Sequence, residues 1–128
     1  MTSRAVTVGL VVLVVALAPG CSAIRSVAVG VGIVSATSDD TAQVDVNADR
    51  GSVYETAREI LMAEGDLDLA DADAGRLVAD LDGSNVAVSL TPRGDVIRVR
   101  VTARKMPGRQ PDLDLAERLA RDLSRPYL

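Results

Sequence analysis

The chain contains no histidine, tryptophan or phenylalanine, and it has one cysteine, one lysine and two tyrosines. Each scarcity closes off a class of chemistry. Without histidine, the commonest general base and a leading zinc ligand are missing. The single lysine, Lys105, is not preceded by a Ser-x-x-Lys sequence, so serine–lysine nucleophilic catalysis has no basis here. With Tyr54 and Tyr127 as the only aromatics, there are no stacking platforms for bases or sugars, and the core must be aliphatic. Eighteen acids outnumber fourteen bases, which opposes nucleic-acid binding, since phosphate contacts need a basic footprint. The expectation is a protein that is not an enzyme and carries no cofactor.

What the chain does contain begins with a leader. Arg4 supplies a positive start, Ala5 to Ala18 form an uncharged run rich in valine and leucine, and Ala18-Pro19-Gly20 place small residues before Cys21. That is the layout of a secretory signal, and the apolar run is shorter than the roughly 20 residues a spanning helix needs. A plain signal peptide needs no cysteine at its cleavage point. A lipoprotein signal does, because the thiol is alkylated with diacylglycerol before the leader is removed. Leu17-Ala18-Pro19-Gly20-Cys21 resembles such a lipobox, departing from the usual pattern in carrying Ala18 three places before the cysteine, with Leu17 one place further back.

The domain plan that follows is residues 1–20 as a cleaved lipoprotein signal peptide, 21–40 as a lipidated flexible tether, and 41–128 as a single α+β domain. Cleavage leaves 108 residues, with thirteen bases against eighteen acids. That length suits one small domain. With Cys21 committed to lipid, no disulfide can form within the chain, although the compartment would permit one. Several acyl chains hold a protein essentially permanently, each buried methylene contributing about 0.8 kcal/mol. The expected location is therefore the cell envelope, on the outer side of the cytoplasmic membrane. In a two-membrane cell, Ser22 after the cysteine points instead to the periplasmic face of the outer membrane.

The tether divides into an apolar part, Val27 to Val34, and a polar part, Ser35 to Asp40. Gly30 and Gly32 form a GxG, but no third glycine, preceding strand or following helix supports a dinucleotide loop. Serine, threonine and aspartate after it favour a linker.

From Thr41 the pattern turns to alternation. Val44 and Val46 alternate with Gln43, Asp45 and Asn47, as in a half-buried strand. Ser52-Val-Tyr-Glu55 matches a capping box, so a helix is expected to begin there, with an apolar stripe of Val53, Ala57, Ile60 and Leu61 and a stop at Gly65. Four more strands follow, with inward sets Leu67/Leu69, Leu77/Ala79/Leu81, Val86/Val88/Leu90 and Ile97/Val99/Val101/Ala103. The turn signals Asp82-Gly83 and Arg93-Gly94-Asp95 make the last three of these strands a meander. A second helix is expected from Asp112 or Asp114, with Leu115, Leu119 and Leu123 spaced by four and with Asp114–Arg118 and Glu117–Arg121 as i, i+4 pairs. The order is β-α-β-β-β-β-α. One apolar stripe per helix and one apolar face per strand predict an antiparallel sheet with two helices packed on one face.

Cys21, the stretch Val29 to Val34, the helix start Asp49-Arg-Gly-Ser-Val-Tyr54 with Ala57, and the run from Gly75-Arg-Leu-Val-Ala to Arg104 resemble the small bacterial lipoproteins grouped as domain of unknown function 3568. The resemblance implies a fold and a location and says nothing of mechanism.

Two charged features compete for attention. The acidic run Asp66 to Gly75 carries Asp66, Asp68, Asp71 and Asp73, yet its glycine falls one place early for a calcium loop, and the alternation fits a strand's wet face. No metal site is expected. Arg98, Arg100 and Arg104 share one strand face, and a meander can bring Asp80 and Asp82 toward them across Ala87, Ser89 and Thr91. Cross-strand pairing on a wet surface accounts for them most simply. They are also the candidate partner-binding residues, because residues 39–82 hold thirteen acids and three bases while 93–125 hold nine bases and five acids.

The functional expectation is a membrane-tethered, non-catalytic domain that binds another envelope protein, the alternative being a small-ligand-binding periplasmic module. The leader generates the first test. Cys21→Ala is expected to leave the protein soluble or held as an unprocessed precursor, with no incorporation of labelled palmitate. Absence of label from the wild-type protein would refute lipidation.

Overall fold

Alternation gives each strand one apolar face, and a sheet built from such strands must be covered on that face by something equally apolar. In the computed structural model, which describes residues 31–128, two helices do this. Cys21, the leader and residues 21–30 of the expected tether lie outside the described residues. The strands are β1 (Ser35–Ala36), β2 (Thr41–Val46), β3 (Asp66–Asp71), β4 (Arg76–Leu81), β5 (Ser84–Arg93), β6 (Val96–Lys105) and β7 (Gln110–Pro111). The helices are α1 (Arg50–Glu64) and α2 (Leu113–Ser124), with a final 3-10 turn over Arg125–Tyr127.

The sheet is antiparallel throughout its ladder, in the order β1-β2-β6-β5-β4-β3, with β7 pairing the end of β6. The fold is the expected α+β arrangement, with two two-residue strands added. Helix α1 packs over β3, β4 and β5, while α2 packs over β2 and β6. The core between the layers is aliphatic. Val44, Leu77, Val86, Val88, Val99 and Val101 from the sheet meet Val53, Leu61, Leu119 and Leu123 from the helices, all essentially without solvent exposure.

The sheet starts before the alternation does. Gly32 donates its N–H to the carbonyl of Asp45, and Ser35 and Ala36 pair with Gln43 and Ala42. Residues 31–36 thereby cover the outer edge of β2, so the folded domain begins within the stretch expected as a tether. At the other end, Tyr127 closes back on α1, its hydroxyl 2.7 Å from that of Thr56 and 3.1 Å from that of Ser52.

Helix α1 begins two residues before the expected capping box. Asp49 is the N-cap, its carboxylate accepting the Ser52 N–H at 3.0 Å. Aspartate caps as well as serine does, and the earlier start leaves Ser52 within the helix, where it faces Tyr127. The helix stops at Gly65 as expected, though the backbone there is extended. Glycine is required because a side chain would collide with the Asp80 carbonyl of β4.

Two further details differ from the periodicity. A bulge between Leu67 and Leu69 shifts the β3 register, so Leu67 pairs with inward-facing Ala79 while Leu69 pairs with Val78 on the other face and is 45% exposed. On α2, Ala116 and Ala120 join Leu119 and Leu123 in the core while Leu115 is half-buried. Arg118 reaches Glu64 of α1 at 2.7 Å and Asp122 at 3.2 Å, leaving Asp114 aside. A bidentate tie between helices wins over the i−4 neighbour because it satisfies two guanidinium N–H groups at once.

None of the described helices is long and apolar enough to cross a membrane. Leu119→Ala, which empties space between α2 and the sheet, is expected to cost about 2 to 5 kcal/mol. Tyr127→Phe, which removes only the hydroxyl contacts, should cost about 0.5 to 1.5 kcal/mol. Urea denaturation of both variants checks the ranking.

Candidate functional site

Strand β6 is flanked on both sides, by β5 along its whole length and by β2 over Ile97 to Thr102. Ile97, Val99, Val101 and Ala103 point into the core. The intervening Arg98, Arg100, Thr102 and Arg104 therefore stand on the face that carries no helix. All three candidate arginines belong to this open face, but they have different surroundings.

Arg98 is opposite Asp45 in the register, and its guanidinium grips that carboxylate with two bonds, Nε to Oδ1 at 2.9 Å and a terminal nitrogen to Oδ2 at 3.1 Å. These bonds, and then the charge of Asp45, raise the Arg98 pKa. Arg104 lies 2.6 Å from the Asp40 carboxylate and donates to the Arg109 carbonyl at 2.7 Å. Asp40 is only 8% exposed, and its other oxygen accepts from the hydroxyls of Ser38 at 2.7 Å and Thr41 at 2.8 Å. The Thr41 hydroxyl also lies 2.9 Å from that of Thr102 across the strands. The hydroxyls of Ser38 and then Thr41, followed by Arg104, hold the Asp40 carboxyl below the ordinary carboxylate range against the opposing effect of burial.

Arg100 is exposed and has no acid partner among the described residues. It is flanked by Gln43 on β2 and Ser89 on β5. Beyond Ser89 in the same row stands Arg76 of β4, also exposed and in no ion pair among the described residues. Its neighbour Asp71 turns its carboxylate to the Ala74 N–H at 3.0 Å. The two arginines are two strand intervals apart, about 9.5 Å between backbones.

The acids that neutralise Arg98 and Arg104 come from β2 and the residue before it, and the partners expected from β4 do not serve. Asp80 shares a row with Asn85 and Arg104, but accepts the Gly83 N–H at 3.0 Å, while Asp82 sits in the turn with φ 54°. Sequence reasoning missed Asp40 and Asp45 because pairing of β2 with β6 joins segments more than fifty residues apart. It missed Arg76 because an isolated arginine at a strand start carries no local signal. The alternation of Gln43 and Asp45 was the one available clue.

The acidic turn has its own cation. The Arg50 guanidinium donates to the carbonyls of Ala72 at 2.9 Å and Asp73 at 2.6 Å. Among the described residues no group of three or more acidic or thiol ligands converges on a point. Gly32, of the GxG pair, serves the β2 edge as described above; Gly30 lies outside the described residues.

No protein-family model matches the chain, and the curated proteins include no relative that matches it.

The Asp40 cluster yields a pH prediction. Because the folded pKa lies below the unfolded one, the stabilisation is present above the ordinary carboxylate range and is lost as pH falls through the lower, folded value. Asp40→Asn is expected to lower stability at pH 7 and to flatten its acid-side decline. Thermal melts from pH 7 to pH 2 on both forms check this: parallel curves would show that Asp40 is not the linked group.

Proposed function

We propose that this chain is a lipid-anchored protein of the cell envelope, held through Cys21, whose folded domain is a non-catalytic module that binds an acidic protein partner with its open sheet face. Kinship with the lipoproteins of domain of unknown function 3568 belongs to the same proposal. The observation that carries the binding reading is the row of Arg100 and Arg76. On a face where the neighbouring arginines are neutralised by the domain's own carboxylates, these two cations stand exposed on either side of a serine hydroxyl.

Arginine suits such a role. Its fork of donors meets carboxylates bidentately, and its weakly hydrated cation is readily transferred into an interface. The small side chains Ala87, Ser89 and Thr91 around it let an approaching surface come close to the sheet. The filled aliphatic core and the charged sheet face favour this reading over a ligand held deep between helices and sheet. The leader and its lone thiol support the anchor, and scarcity of catalytic residue types supports a binding role over a chemical one.

The arrangement also selects the variant that tests it. Reversing Arg98 would set a like charge against Asp45, mixing stability with binding. Arg76→Glu with Arg100→Glu avoids this, and should change stability by no more than about 0.5 kcal/mol, as for surface sites without partners. The same double reversal is expected to abolish capture of an acidic envelope protein at low salt, where complementary charge speeds encounter. Crosslinking of the membrane-bound protein followed by mass spectrometry compares the two. Identical partner lists would refute the role of the arginine row.

A further inference from the structure

On the helix-bearing side, where the sheet runs out past Leu81, a cleft of about 410 Å³ opens between the end of α1, the β4–β5 turn, the end of β6 and the start of α2. That volume falls within the range of small-molecule sites. Its floor and rim contain three groups with no partner among the described residues. Ser84 lines the cleft, 7% exposed, and its hydroxyl makes no hydrogen bond among the described residues. A buried hydroxyl without a protein partner is uncommon, since such groups are nearly always hydrogen-bonded. Lys105, paired with Ser84 across the β5–β6 ladder, stands exposed at the rim and is in no ion pair. Asp82, two residues before Ser84 in the turn, also lines the cleft, exposed and with its carboxylate in no hydrogen bond or ion pair among the described residues.

The remaining charges in the cleft are already committed. Glu64 and Arg118 bind each other bidentately, at 2.7 Å and 3.1 Å, and the Asp112 carboxylate caps α2 by accepting the Leu115 N–H at 3.3 Å. What is left unsatisfied is therefore one cation, one anion and one hydroxyl, set on neighbouring positions of a single hairpin and its adjoining strand.

We infer that this cleft binds a small zwitterion of the amino-acid or dipeptide class. The ligand carboxylate meets the Lys105 ammonium and the Ser84 hydroxyl, and the ligand ammonium meets Asp82. A simple anion would satisfy Lys105 and Ser84 but leave Asp82 opposing it; a simple cation would leave Lys105 opposing it. Only a molecule with both charges answers all three groups. The site lies on the helix-bearing side of the sheet and does not depend on the arginine row of the open face.

The test uses the full chain, in detergent, with glycylglycine as probe, and follows the backbone amide NMR signals of Gly83, Ser84 and Lys105. Saturable shifts are expected with a Kd of about 1 mM, a value corresponding to roughly 4 kcal/mol of binding. Acetate and methylammonium, each supplying one charge, and glycylglycine blocked as its N-acetyl amide are expected to bind at least about tenfold more weakly, a difference of about 1.4 kcal/mol. Lys105→Met and Asp82→Asn should each weaken the dipeptide by a similar factor. The blocked-probe comparison needs no variant and so stands even if a substitution disturbs the turn. Equal binding of acetate and glycylglycine, or unchanged binding in Asp82→Asn, would overturn the zwitterion assignment. No saturable shift up to about 50 mM, where binding weaker than roughly 2 kcal/mol would begin, would overturn the site itself.

Discussion

The pairing of β2 with β6 is the constraint on which the rest of this fold depends. The meander β3-β4-β5-β6 is made of neighbours in sequence and can form by short hairpins. Strand β2 instead joins a partner more than fifty residues away, with Val44 opposite Val99 and Val46 opposite Ile97. That union creates the surface on which α2 lies, since α2 packs over β2 and β6. Without it Leu119 and Leu123 would have no floor. A long-range contact of this kind closes a long loop before it is rewarded, which makes it the slow step expected of the topology.

The same pairing sorts the charges. The acidic half of the chain contributes β2 and the basic half contributes β6, and their register sets Asp45 against Arg98 and brings Asp40 to Arg104. The open face is thus partly neutralised from within. Arg100 escapes because the residue opposite it on β2 is Gln43, and Arg76 because Asp71 is engaged by the turn. Exposure of those two is a result of register, one residue at a time, and could not follow from charge counts.

Much of the layer architecture was legible from apolar spacing alone. The inward sets of β4, β5 and β6 emerged residue for residue, as did the start of the second helix near Asp112 and the stop of the first at Gly65. These are local properties, set by pleat period, helix period and turn chemistry. What escaped was non-local. Short edge strands such as Ser35–Ala36 have too few residues to show a period. The bulge at β3 breaks alternation where two leucines seem to obey it. The cap falls on Asp49, and the contact that Ser52 makes instead is to Tyr127, seventy-five residues beyond it. Within the open face, the three candidate arginines were correctly grouped by period two, but their division into two engaged and one free required the strand order. The cleft at Ser84 left no sequence signal, because a serine beside a turn is ordinary.

Among the described residues, strand β3 ends the sheet with one side of its backbone unpaired, and Asp66, Asp68, Asp71 and Asp73 are strung along it and the turn that follows. Two copies meeting edge to edge would bring eight carboxylates together before a single inter-chain hydrogen bond could form. An unguarded edge of this kind is a ready template for pairing with another chain. The acidic border makes this domain a poor neighbour to itself. Its repulsion reaches across only about 8 Å at physiological ionic strength, far enough to discourage stacking.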